Sequence, residues 1–546
     1  MGYYRRKGHN TVSSGLATTI RLLSKTDNEA AVRVLTAALD SPNAPIKEGA
    51  LSALLKRRSP TGGREILRRI PDIPVAWKEI IRQHHGAMTR AIRDALLGSD
   101  RRLCLNACRA LVWFREYDLM PTLLNLLEDR QKEKAQLAAE TLTELIGQLY
   151  EQLAGPRDYA DRRDPQMIRR HVLGSLELSL KRFNQHKRRE VVEAFLILVG
   201  RDNVVLKQIL TDPHHSCFVV TVDLLSKSKQ GGVIRLLLSF LDDPHTPSAA
   251  LSIIANRHDL KFVNYLLRKI GRDPSATARQ NLKRLETIGW LKSAAEVLDE
   301  LDDAAQYGAV RLVMTSGVSR IQAYSVVEYL LLHGRPGGRR AAAEALAEFH
   351  GADANALAVR ALDDADPQVQ AQVVSQLRSR GIPGVLLRLI DLIDSPHAEV
   401  RHAVRESLAE FTFPRYLAAF DELDDEVRRS TGALVRKVDQ KSLTLLRAEL
   451  VSQVRGRRMR GLGMARAMDA VGAIEETIVA MLNDEDHLVR AEAAASLTLS
   501  SSEASRRALE RALDDSSQKV REVAQKSLQN RMQFHQWRET LADPRD

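Results

Sequence analysis

One phrase recurs near the C-terminal end of this 546-residue chain and limits what the chain can fold into. An Asp or Asn is followed six residues later by Val-Arg, then at four-residue steps by a small or branched residue and a Leu. The set Asp514, Val520-Arg521, Ala524 and Leu528 is preceded by Asn483, Val489-Arg490, Ala493 and Leu497. Before these stand Asp394, Val400-Arg401, Val404 and Leu408, and earlier Asp363, Val369, Val373 and Leu377. Asp421 with Val427-Arg428 fits the same frame, and Met459-Arg460 fills the slot before residue 489. The Val slots therefore fall at 369, 400, 427, 459, 489 and 520, steps of 27 to 32 residues. Positions 0, +4 and +8 share one helix face. The +4 position is usually small, as at Ala50, Ala107, Gly463, Ala493 and Ala524, which lets a neighbouring helix come close. The leading Asp or Asn is predicted to cap that helix by accepting from its free N–H groups. Second apolar helices are expected over 385–393, 443–451, 474–482 and 504–513. Neither helix of such a pair buries its apolar stripe alone, and stacking on the next pair gives a solenoid.

The pattern Asp-x5-Val-Arg-x-x-Ala-x-x-x-Leu at this period resembles the HEAT repeat in its short bacterial form. It is regular over 335–531, looser over 30–150, where Asp40 leads to Ile46-Lys47, Ala50 and Leu54, and divergent over 155–335. The resemblance implies an all-α, armadillo-type solenoid of antiparallel helix pairs, about 31 residues each, with the Val-Arg helix on the concave face. It also implies an acid–arginine ladder between repeats, here Asp394, Arg401, Asp421, Arg428, Arg490, Asp514 and Arg521, interrupted at Gln370 and Gln453. The expected organisation is a basic segment 1–25, repeats 26–153, a polar loop 154–166, divergent repeats 167–334, regular repeats 335–531 and a tail 532–546. A second break falls at 333–339. One bent, continuous superhelix is expected in place of separate domains.

Composition agrees with helices. Apolar residues are 44% and charged residues 28% of the chain, the balance of a folded protein, and only 25 residues are Phe, Trp or Tyr, so Leu, Ala, Val and Ile must fill the core. The longest uncharged runs, 8–20 and 244–256, are too short and polar to span a bilayer. No apolar stretch follows Arg5, Arg6 and Lys7 as a secretory signal requires. Three cysteines cannot build a disulfide framework, which suits a reducing, cytoplasmic setting. The net charge of +11 is lopsided: residues 1–300 carry 48 basic and 34 acidic side chains, residues 301–546 carry 33 and 36. Such a field attracts phosphate backbones, anionic surfaces or acidic proteins, although most basic helix faces are simply solvated.

The chemistry-bearing motifs are missing. There is no Gly-Lys dipeptide for a phosphate loop, no Gly-x-Gly-x-x-Gly, no Gly-x-Ser-x-Gly and no His-Glu pair of the kind that binds iron in hydroxylases on HEAT-like repeats. His84-His85 and His214-His215 are adjacent pairs whose side chains diverge on a helix, so surface or capping roles are expected. Cys104 and Cys108 share a helix face without further ligands and read as small buried thiols; His397 and His402 read as surface side chains. Basic clusters remain. They are Arg5-Arg6-Lys7, Arg162-Arg163 with Arg169-Arg170, Lys187-Arg188-Arg189, and Arg455, Arg457, Arg458 and Arg460 at a helix entrance, where free N–H and guanidinium groups can hold an anion.

Three functions are compatible with this sequence: a non-catalytic scaffold or adaptor that binds a protein on the concave face, a nucleic-acid binder acting through the basic first 300 residues, and a HEAT-like lyase or hydroxylase. The scaffold is favoured, because catalytic motifs are missing and aromatics are too sparse for a row of stacking platforms. No metal or organic cofactor and no membrane insertion are expected. Arg169, Arg170, Lys187, Arg188, Arg189, Arg455, Arg457 and Arg458 are the candidate anion- or partner-binding residues.

Overall fold

The computed structural model describes residues 14–129, 132–156, 163–271 and 273–542, apart from the side chains of 14, 132 and 531–542. Arg5–Lys7, residues 157–162 of the 154–166 loop and the end of the tail lie outside the described residues. Among the described residues there are 34 α-helices and no strand. None of these helices is long and apolar enough to cross a membrane. The helices form two compact units, residues 1–323 and 324–546.

Helix starts are set by polar caps, but not by the residues that the repeat frame suggests. Asp366 accepts from the Gln368 N–H at 2.9 Å, Asp486 from Leu488 at 2.8 Å, and Asp424 from Glu426 and Val427 at 3.1 and 2.9 Å. Each lies three residues after the expected cap, Asp363, Asn483 or Asp421. The reason is geometric: an N-cap carboxylate reaches only the second or third N–H of the helix, and these helices begin at Pro367, His487 and Asp425. Asp100, Asp164, Asn203, Ser275 and Asp302 cap helices of the first unit in the same way.

In the first unit two rows of helices run side by side. One row passes from Ala44–Arg57 through Val75–Gln83, Arg101–Phe114, Lys132–Ala154, Arg189–Leu198, Gly231–Ser239 and Leu260–Gly271 to Asp303–Thr315, each packed on the next. The other begins with Ala30–Ala38, Pro60–Arg68, Thr89–Leu97, Met120–Glu128 and Pro165–Leu180. The small positions do what the spacing predicts, since Ala50 and Ala107 are fully buried between helices. Buried amides tie successive pairs together where the repeat phrase is faint. Asn106 donates to the Leu67 carbonyl at 2.9 Å, and Asn281 donates to the carbonyls of Leu241 and Asp243, both at 2.9 Å. Each satisfies a carbonyl left over at a helix end, where a bare buried acceptor would cost about 1–3 kcal/mol.

In the second unit Val369, Val400, Val489 and Val520 are fully buried, whereas Val427 is 40% exposed. Residues 339, 370, 401, 428, 458, 490 and 521 are each the fourth residue of a helix. At most of these positions the side chain folds back onto its own entry turn: Gln370 donates to the Asp364 carbonyl, Arg401 to Ser395, Arg458 to Ser452, Arg490 to Asp484 and Arg521 to Asp515. The ladder differs from the expected one. Its rungs are Arg339–Asp364 at 2.9 Å, Arg458–Asp484 at 3.0 Å and Arg490–Asp515 at 2.8 Å, joining each arginine to the carboxylate of the next entry turn. Asp515 replaces the expected Asp514, and Asp394 pairs with Lys437 at 2.6 Å instead of Arg401. Arg428 donates to the carbonyls of Phe420 and Asp421, and Asp421 faces Arg460 at 3.5 Å. Arg458, not Arg460, holds the ladder position in its helix. The carboxylate that matters sits one residue further into the turn, facing the previous repeat. Rungs lapse where that slot holds Ser395 or Ser452.

Candidate functional site

The structure occupies most of the predicted basic clusters with intramolecular partners. Arg455 pairs with Asp486 at 3.0 Å, Arg457 binds Glu449 through two hydrogen bonds, and Arg458 is buried against Asp484. Arg189 pairs with Asp223 at 2.6 Å, and Arg188 donates to the Asp129 carbonyl at 3.3 Å. Arg163 donates to the Arg115 carbonyl, and Arg162 lies outside the described residues. Lys187 is the left-handed residue that ends the Phe183–His186 turn, with an exposed side chain, and Arg170 is exposed beside the Met167 sulfur. Arg169 differs from these. Its Nε donates to the Leu198 carbonyl at 2.7 Å, and Nη1 lies 3.4 Å from Gln166 Oε1.

Next to Arg169 the first unit gathers tyrosines and arginines that no sequence pattern links. The helices Lys132–Ala154, Gly231–Ser239 and Leu260–Gly271 enclose a cavity of about 720 Å³ lined by Tyr150, Arg235, Tyr265, Arg268 and Lys269. The Arg235 guanidinium lies over the Tyr150 ring, 4.8 Å from its centre. Tyr265 is 51% exposed. The row continues on the next helix, where Arg311 lies over Tyr307 and donates to its hydroxyl at 2.9 Å. Thus three of the ten tyrosines of the chain stand on three helices of this row, each with an arginine near it. Sparse aromatics overall had argued against any such row; packing collects them.

The groove is electrostatically mixed. Lys269 pairs with Asp242 at 2.6 Å, and Ser275 donates to the same carboxylate at 2.7 Å. Although burial pushes Asp242 up, the Lys269 and Ser275 hydrogen bonds hold it below the ordinary aspartate value. Arg268 binds Asp302 and Asn264. Burial lowers the Arg169 pKa, and the positive charge of Arg235 lowers it further. The surface therefore offers aromatic faces, directional donors and a local excess of positive charge to whatever docks there.

The other candidates take structural positions. Cys104 and Cys108 are buried in the helix row, and a hydrogen bond with Cys104, then burial, pushes the Cys108 thiol well up. His84 Nδ1 bonds the Ile80 carbonyl, and His215 Nδ1 accepts from the Cys217 N–H. His397 and His402 are exposed. Among the described residues no three His, Cys, Asp or Glu side chains come together as a metal site.

A family model described as HEAT repeats matches residues 325–434. No curated protein matches the chain. Similar known structures include the full-length AP-3 complex in an intermediate open conformation, at 12% identity over 96% of each chain with a TM-score of 0.35. Kap121p aligns at 11% identity over 96% of this chain and 74% of that one, TM-score 0.33. A chain from a structure of the cadherin and beta-catenin interaction aligns at 13% identity over 92% and 99%, TM-score 0.32. With repeated helix pairs throughout the described residues, the chain is all-α in the manner of an α-solenoid, and residues 325–434 of its second unit match HEAT repeats.

Proposed function

We propose that the chain is a non-catalytic cytoplasmic scaffold that docks a protein partner on the tyrosine–arginine row of its first unit. The observation that carries this reading is the placement of Tyr150, Arg235, Tyr265, Arg268, Tyr307 and Arg311 on four helices of one row in a chain otherwise poor in rings. Tyr and Arg dominate interface energetics because each presents a large, stiff contact area with a polar end. A repeated helical stack holds such residues on a rigid surface. Exposed Arg170 and Lys187 add positive charge for a partner to meet.

A nucleic-acid reading draws on the same tyrosines, since bases stack on rings and arginines meet phosphates. Asp242, Asp273 and Asp302 stand against it, because they border the cavity or pair with its cations and oppose a continuous polyanion. The two readings separate in one experiment. Full-length protein is used to capture partners from nuclease-treated cells, alongside a Tyr265→Ala/Arg268→Ala variant. The scaffold reading expects a protein that survives nuclease and about 150 mM salt and is lost with the variant. Retention of the same protein by the variant removes the docking face, and material that disappears with nuclease replaces it with nucleic acid.

A further inference from the structure

Resting on this docking face, the charge pattern of the cavity identifies the chemistry of what enters it. Two of its cations are spoken for, Lys269 by Asp242 and Arg268 by Asp302. Arg235 is not: among the described residues no carboxylate pairs with it, and its contact is the face of Tyr150. The same holds for Arg169, whose guanidinium is oriented by the Leu198 carbonyl and the Gln166 side chain. Arg169 stands at the end of the Arg189–Leu198 helix, which there meets the start of Gly231–Ser239, the helix that carries Arg235. There Gly232 packs on the Ile197 backbone and the Arg169 Nη2 lies beside Gly200. Among the described residues Tyr150 Oη has no hydrogen-bond partner, and it borders the cavity close to Gly231.

An anion between two like charges relieves their repulsion, and burial, then the charge of the exposed Arg235, disfavours the charged form of half-buried Arg169. We propose that the Arg235 end of the cavity receives a phosphate monoester carried on a side chain of the docked protein, gripped by Arg235, Arg169 and the Tyr150 hydroxyl. Two uncompensated guanidinium groups match the near-dianionic charge of a phosphomonoester at neutral pH better than the single charge of a carboxylate. Asp242 and Asp273, which line the same cavity, favour one isolated anion over a phosphodiester chain. Tyr265, exposed at the mouth, faces the residues that flank the modified side chain.

The test is fluorescence anisotropy on the full chain. The probes are a labelled Ala-Ala-phosphoserine-Ala-Ala peptide, its serine form and its glutamate form, with free O-phosphoserine as competitor. The phosphopeptide is expected to bind at least tenfold tighter than either counterpart. Arg235→Ala is expected to weaken it at least tenfold, Arg235→Lys less, and Tyr150→Phe about threefold. Arg235 is exposed, so its alanine variant keeps the fold, which circular dichroism checks. Equal binding of the glutamate and phosphoserine peptides overturns the phosphate assignment, as does undiminished binding by Arg235→Ala. Competition by free O-phosphoserine at the affinity of the peptide assigns the site to a small metabolite and overturns the side-chain source. If no phosphopeptide binds while Tyr265→Ala/Arg268→Ala still loses its captured protein, the anion site is refuted and the docking face stands. If the phosphopeptide binds as expected while that variant keeps its protein, the docking face falls and the anion site stands.

Discussion

Arg490 and Asp515 face each other through two near-parallel hydrogen bonds of 2.8 and 2.9 Å, and both side chains are almost wholly buried, at 13% and 12% exposure. Arg490 also donates to the Asp484 carbonyl of its own entry turn. One guanidinium therefore fixes a turn and joins it to the next repeat. This doubled role explains why an arginine recurs at the fourth helix position. A lysine, with a single ammonium, cannot fill both places at once.

Removing one partner of this pair leaves a charge stranded in a poorly solvated turn. Asp515→Asn is expected to cost about 3 kcal/mol. Asp421→Asn, which takes away a 3.5 Å pair with an exposed carboxylate, is expected to cost under about 1 kcal/mol. Native-state hydrogen exchange reads both numbers as local opening free energies, over residues 487–524 for the first and 425–467 for the second.

Acid should loosen the same region. The Arg490 hydrogen bond lowers the Asp515 pKa, and the Arg457 hydrogen bond lowers that of Glu449. The unfolded chain then takes up protons first as pH falls, so the stabilisation is complete above about pH 4.5 and is lost below it, as pH falls through the folded values. Stability measured from pH 6 down to pH 3 should fall in the wild type, and less steeply in Asp515→Asn. Identical slopes would detach acid sensitivity from the ladder.

Close helix approach makes a further prediction. Gly308 in the Asp303–Thr315 helix lies so near the Leu267 carbonyl that an added Cβ falls far inside van der Waals contact, whereas Gly174, on the exposed side of Pro165–Leu180, has open space around it. Gly308→Ala should destabilise the first unit by about 2–3 kcal/mol. Gly174→Ala should stabilise it by about 0.5–1 kcal/mol, because alanine is the better helix former. Urea unfolding of the two variants should move in opposite directions.

Reading the fold from the sequence worked where a side chain serves the stack by type and spacing. Buried Val369, Val400, Val489 and Val520, with small or branched residues one turn on, repeat because every helix pair meets the same neighbour. Details set by turn geometry were out of reach. The caps sit three residues beyond the leading acid, and the rung uses Asp515 because the entry turn, not the repeat frame, aims the carboxylate. The groove was less legible still. Arg169 was visible as part of a basic cluster, but Tyr150, Arg235 and Tyr265 lie on helices far apart in the chain, and only their packing brings them to one cavity. The exposed Tyr265 was the signal available, and it has no period to reveal it.

The central claim, that the tyrosine–arginine row docks a protein, is tested most directly by a photo-crosslinking amino acid placed at Tyr265. Val204, 67% exposed and not among the residues lining the cavity, is the control position. The account predicts one protein crosslinked from position 265, none of it from position 204, and loss of that crosslink on Arg235→Ala. Equal crosslinking from both positions, or a nucleic acid attached at 265, would contradict it.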